Sequence, residues 1–230
     1  MLPISGISFL VNTCLGVTAG LQLLFLYRAE RVLMHKYLAW YFLTFSVFMF
    51  SMAWPHIFWQ KPDLFAYWLN YSQFAGFIFL HISYILMALV AFLIRFAKAK
   101  WPIMIFLILS GLASMWFFSL NLGNPFIDFG TGLTVFDNAA LGGIFVFLSS
   151  LMSRGLLALV FALEIFKPKT TVLGYNAPYF AIGALLMLIG GPIHTLTHQI
   201  YVFFISDIIT LVGIFMLWAG AFMAKRGNSL

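Results

Sequence analysis

The sequence predicts an all-α, polytopic membrane protein: a bundle of seven transmembrane helices, N-terminus outside and C-terminus inside. Three observations predict it. Of the 230 residues, 63% are hydrophobic and 8% charged, whereas a soluble domain carries charge on about a quarter of its residues. The apolar runs are roughly twenty residues long, the length a helix needs to cross hydrocarbon. They lack the two-residue alternation of a barrel strand. Finally, the basic residues gather on alternate connections, as the positive-inside rule requires of a threaded chain.

The spans fall at approximately 6–27, 37–58, 72–96, 101–121, 139–166, 171–191 and 193–223, as one membrane domain over 1–230. The first lacks a basic leader and a small-x-small cleavage site, so it reads as a retained helix. It holds the single cysteine, Cys14, which excludes an intramolecular disulfide and a thiolate metal cluster. Arg28, Arg31 and Lys36 follow the first span, and Arg95, Lys98 and Lys100 the third. Lys167 and Lys169 follow the fifth, and Lys225 and Arg226 the seventh. The remaining connections hold Lys61 with Asp63, Asp128 and Asp137. Ten of the twelve basic residues therefore lie on one side, which is cytoplasmic by the same rule. A bacterial inner membrane is the expected location and the lipid bilayer the first partner. The net charge of +6 follows from topology, so nucleic acid is not an expected partner. The longest connection, "LGNPFIDFGTGLTVFDN" at 122–138, has the composition of a turn or small cap over the outer end.

Polar residues inside spans are costly in lipid and mark packing or function. Arg154 and Asp207 lie at matching depths in the fifth and seventh spans. The expectation is a buried ion pair, either a clamp on helix packing or a switch or relay. Glu164, near the inner boundary, has Lys167 as its expected partner. Asn12 and Gln22 in the first span read as interhelical hydrogen bonders. Trp54 and Trp59 read as interface anchors. Pro55 removes a helical N–H and so frees a carbonyl in the second span.

The phrase "GGPIHTLTHQIY", 190–201, reads as an outer turn at Gly190-Gly191-Pro192, followed by His194 and His198 one helical turn apart. A second register carries the sixth span through the proline to about residue 198. His56 and His81 also fall in the outer half, and only His35 is cytoplasmic. Neutral imidazoles brought together this way suit a metal, zinc first, or haem held axially by two helices. Asp63, Asp128 and Asp137 are nearby carboxylates. A pH-sensing cluster is a third reading. Histidines that simply bond water or headgroups at the interface are the plainest one.

Two families resemble this layout. From "YRAERVLMHKYLAWYFLTFSVFMF" through "PDLFAYWLNYSQFAGFIFLHISYILMALVAFLIRF", the hydropathy resembles the seven-helix membrane input domains of bacterial sensor histidine kinases. That resemblance implies a sensor signalling through a membrane or cytoplasmic partner. The chain also resembles the alkaline ceramidase and adiponectin-receptor-like zinc hydrolases. That second resemblance implies Ser51 and Asp63 as catalytic groups and His56, His194 and His198 as zinc ligands, with metal-bound water attacking a lipid amide. His81 is an additional candidate ligand. Two function classes stay open: a non-enzymatic sensor, receptor or assembly subunit, and a metal-dependent lipid hydrolase.

Overall fold

In the computed structural model, residues 3–120, 123–136, 140–166, 172–196 and 200–223 are described, with backbone alone at 140, 172–175, 192, 194–196, 200 and 203. Helices α1 (Ile4–Glu30), α2 (Leu33–Ala53), α3 (Pro62–Ile94) and α4 (Lys100–Leu120) come first. A hairpin of β1 (Phe126–Asp128) and β2 (Leu133–Val135) follows. Next, α5 (Ala140–Ser150) and α6 (Leu156–Ile165) form one rod joined by a π turn, Leu151–Gly155. Helices α7 (Val172–Leu196) and α8 (Ile200–Met223) complete the chain. Sequential rods pack side by side, and α8 returns to α1, so the bundle closes on itself. α3 also touches α5, the π turn and α6, which makes it the central rod.

Six helices are long and apolar enough to cross a membrane, and the well-described part of α7, Asn176–Gly191, is a shorter apolar helix. The outward faces carry large apolar side chains, including Phe25, Trp101, Leu109, Trp116 and Leu120. Helices apolar on all sides belong in lipid, so this is a membrane protein.

Two boundaries differ from the sequence reading. α3 begins at Pro62, ten residues before the expected 72. Pro suits a first helical position because its missing N–H has no helical partner there. Phe65 and Leu69, one turn apart, are already buried, so packing extends the helix beyond the apolar run.

The second correction concerns Gly190-Gly191-Pro192, which does not form the outer turn. α7 continues through all three residues to Leu196, the register held as the alternative. The glycines serve close packing. A Cβ on Gly190 would stand 2.5 Å from Thr210 Oγ1 and 3.0 Å from the Ser206 carbonyl, both on α8. The Gly190 carbonyl accepts a hydrogen bond from Ser206 Oγ. A Cβ on Gly191 would stand 2.7 Å from Arg154 Nη1.

The expected cap is present as the hairpin, paired Phe126 to Val135, Ile127 to Thr134 and Asp128 to Leu133. Asp128 organises its turn. Its Oδ1 accepts from the Gly130 N–H at 3.1 Å and its Oδ2 from Thr131 Oγ1 at 2.7 Å. Those donors hold the Asp128 carboxyl below its ordinary range, the Thr131 hydroxyl most. Gly132 closes the turn at φ 68°, a conformation glycine adopts without a Cβ clash. Asn70 Nδ2 donates to the Gly123 carbonyl at 2.8 Å and ties α3 to this end.

Candidate functional site

The polar side chains of the bundle sort into a cluster under the cap and a cavity at mid-bundle. Under the cap, α2 gives way at Ala53 to a 3-10 turn, Trp54–Phe58, because Pro55 cannot donate to the Ser51 carbonyl one turn back. That freed carbonyl accepts from Ser72 Oγ on α3. The turn drives His56 inward, where it is fully buried. His56 Nδ1 lies 3.1 Å from the Ala53 carbonyl. A carbonyl only accepts, so Nδ1 carries the proton and Nε2 is the acceptor. Nε2 lies 2.7 Å from Thr134 Oγ1 and 3.2 Å from Ser5 Oγ. The two hydroxyls are 2.7 Å apart, and the Thr134 N–H donates to Ser5 Oγ at 3.1 Å. The bonds run consistently one way: Thr134 N–H to Ser5, Ser5 to Thr134 Oγ1, Thr134 to His56, His56 to Ala53. This cluster laces the start of α1, the end of α2 and the cap together.

The hydrolase constellation is not assembled among the described residues. The Nε2 lone pair of His56 is engaged by hydroxyls. Ser51 Oγ donates to the Phe48 carbonyl at 2.6 Å and packs on Gly76 of α3. Asp63 is exposed in the first turn of α3. His81 Nε2 bonds Ser114 Oγ on α4 at 2.6 Å, and its Nδ1, packed near Gly111, has no hydrogen-bond partner. His194 lies in the last turn of α7 with its side chain undescribed, and His198 and Asp137 lie outside the described residues. Among the described residues, no three His, Cys, Asp or Glu side chains come together to hold a metal.

The mid-bundle cavity was not foreseen. Its walls are mainly aromatic and aliphatic: Phe9, Phe45, Phe77, Met49, Leu80 and Val146 among them. Its polar points are Gln73, Tyr84, Thr210 and Arg154. About 50 Å³ is open to the centres of water-sized molecules, where a single water needs roughly 10–15 Å³. Arg154 is fully buried and sits inside the π turn, a distortion common at functional sites. Its Nη1 donates to the Met187 carbonyl on α7 at 2.9 Å and to Ser150 Oγ at 3.3 Å. Its guanidinium lies over Tyr84 at 4.9 Å and Phe45 at 5.4 Å, in cation–π range.

The ion pairs among the described residues are Arg95–Glu164 at 3.1 Å and a His35–Glu30 contact at 3.5 Å. The expected Arg154–Asp207 pair is not one of them. Arg154 turns to a carbonyl and two rings, while Asp207 borders the α1–α8 groove and acts electrostatically on His56. Glu164 pairs with Arg95, brought beside it at the shared end of α3 and α6; its expected partner Lys167 lies outside the described residues. Gln22 does bond between helices, accepting from Trp218 Nε1 at 2.9 Å. Asn12 instead donates along its own helix, to the Ser8 carbonyl at 3.1 Å.

Fold and cavity together define a helical membrane protein with a mostly apolar cavity and a charged point in its wall. Comparison with protein-family models, curated proteins and solved structures returns no match.

Proposed function

We propose that this chain is a seven-span sensor or receptor of a bacterial cytoplasmic membrane, N-terminus outside and C-terminus inside, acting through a partner protein. The observation that carries this reading is the mid-bundle cavity. It is bounded by α1, α2, α3, the α5–α6 rod, α7 and α8, so whatever occupies it touches most of the rods at once. Occupancy then biases how the rods pack, and a bundle with two packings converts that bias into movement at its ends. The basic connections at 28–36 and 95–100 form the inner end, where a partner would read the movement. Their charge distribution supports the orientation.

Hydrogen exchange on the full chain in lipid nanodiscs tests this. Val146→Phe places a ring in the cavity and should change exchange at 28–36 and 95–100. Unchanged exchange at these inner connections, with the ring in place, would sink the reading. So would stoichiometric zinc together with lipid hydrolysis by the purified chain, which would establish the hydrolase instead. A reporter fused after Lys225 should face the cytoplasm.

A further inference from the structure

Arg154 uses only part of its hydrogen-bonding capacity. Nη1 is anchored to Met187 and Ser150, while Nε and Nη2 have no hydrogen-bond partner. These two are not arbitrary atoms. They form one edge of the planar guanidinium and present parallel N–H groups, the fork that matches the two oxygens of a carboxylate. No carboxylate among the described residues forms an ion pair with it. The side chain is wholly buried and lines the cavity. The buried Tyr41 hydroxyl stands beside Arg154 and interacts with it without reaching full hydrogen-bond geometry.

The surroundings hold this edge ready. The π turn sets the side chain inward, two aromatic rings lie within cation–π range of it, and Gly191 leaves the space that Nη1 occupies. A buried guanidinium without a counter-charge is costly, and an entering anion removes that cost. The apolar lining residues, among them Phe9, Phe77, Leu80 and Val146, suit an apolar body. The limited room excludes a long acyl chain.

We propose that Arg154 is a carboxylate-recognition site, and that the cavity takes a small carboxylic acid with a short apolar or aromatic body. The Nε–Nη2 edge holds the carboxylate, and the aromatic walls cover the rest. This inference rests on the receptor reading above and supplies its ligand class.

Thermal unfolding and calorimetric titration of the full chain in nanodiscs test it, with benzoate, hexanoate, palmitate, acetate, chloride and benzyl alcohol as probes. Benzoate and hexanoate should raise Tm and bind at least tenfold more tightly than benzyl alcohol, acetate or chloride. Palmitate should not compete with benzoate. Arg154→Lys keeps the charge but loses the fork, and should weaken benzoate at least tenfold. Arg154→Met should abolish its binding. Should that variant fail to fold, Arg154→Lys and Val146→Phe carry the test, the latter blocking benzoate with Arg154 intact. Equal protection by benzyl alcohol and benzoate, lost in Val146→Phe, would overturn the carboxylate assignment and leave the receptor reading standing. Preference for palmitate would overturn the small-body assignment. Benzoate binding unchanged in both Arg154→Lys and Val146→Phe, or no probe binding at all, would overturn the inference. The receptor reading falls separately, on the hydrogen-exchange result.

Discussion

Around His56 every hydrogen-bonding atom has a partner, whereas around Arg154 two strong donors have none. Both groups are fully buried in the same bundle, so burial does not separate them. Saturation does. A closed network returns the desolvation cost of its members as hydrogen bonds and locks three segments in one geometry. An open one keeps that cost in the resting protein, and natural proteins tolerate such a cost chiefly at functional sites. By this contrast we read the cap cluster as structural and the cavity as the place proposed for a ligand.

The largest expected effect is at the saturated site. His56→Ala takes the acceptor from the Thr134 hydroxyl and the donor from the Ala53 carbonyl and leaves a void under the cap, and should cost about 3 kcal/mol of stability. Unfolding of the detergent-solubilised protein measures it. A loss below about 1 kcal/mol would mean that the cluster does not lace the cap to the bundle.

Next comes Gly190→Ala on α7. Alanine normally gains about 1 kcal/mol over glycine within a helix. Here its Cβ would meet Thr210 and Ser206 of α8, so a net loss of about 2 kcal/mol is expected from overpacking. A gain in the same unfolding assay would mean that α8 does not pack closely on Gly190.

Arg154→Met should change the stability of the ligand-free protein by no more than about 1 kcal/mol, in either direction. Removing a buried charge that lacks a counter-charge strands no other ion. A loss as large as that of His56→Ala would make Arg154 a structural clamp and erase the contrast between the two regions.

The smallest effect is at the exposed turn of the cap. Asp128 titrates below its ordinary value of 3.8 when folded, so its carboxylate stabilises the fold above that pH. The contribution fades as pH falls through the lowered pKa. Wild type should therefore be slightly more stable than Asp128→Asn at neutral pH, and the gap should close in acid. A gap that persists at pH 2 would assign the effect to shape instead of charge.

Much of the bundle was legible in the chain because lipid imposes a one-dimensional rule. A spanning helix must satisfy its backbone internally and present apolar side chains all round, so length and hydropathy locate it. The start of α3 escaped that rule. Tyr67, Trp68 and Asn70 interrupt the apolar run, yet Phe65 and Leu69 are held by neighbours that only packing supplies. The glycines at 190 and 191 misled for a related reason. Glycine marks both turns and close approaches, and only the positions of Thr210 and Arg154 distinguish the two.

By itself, then, the sequence determined the all-helical class, the rods long and apolar enough for a membrane, the small cap at 122–138 and the expense of Arg154 at mid-span. These follow from composition and spacing along one helix. The tertiary structure alone decided what each polar group meets: Thr134 for His56, Ser72 for the carbonyl freed by Pro55, and Met187 with two aromatic rings for Arg154. Ser5 and Thr134 are 129 residues apart in the chain, and hydropathy carries no information about which faces of distant helices meet. Whether a buried charge is matched or left open is a property of those meetings.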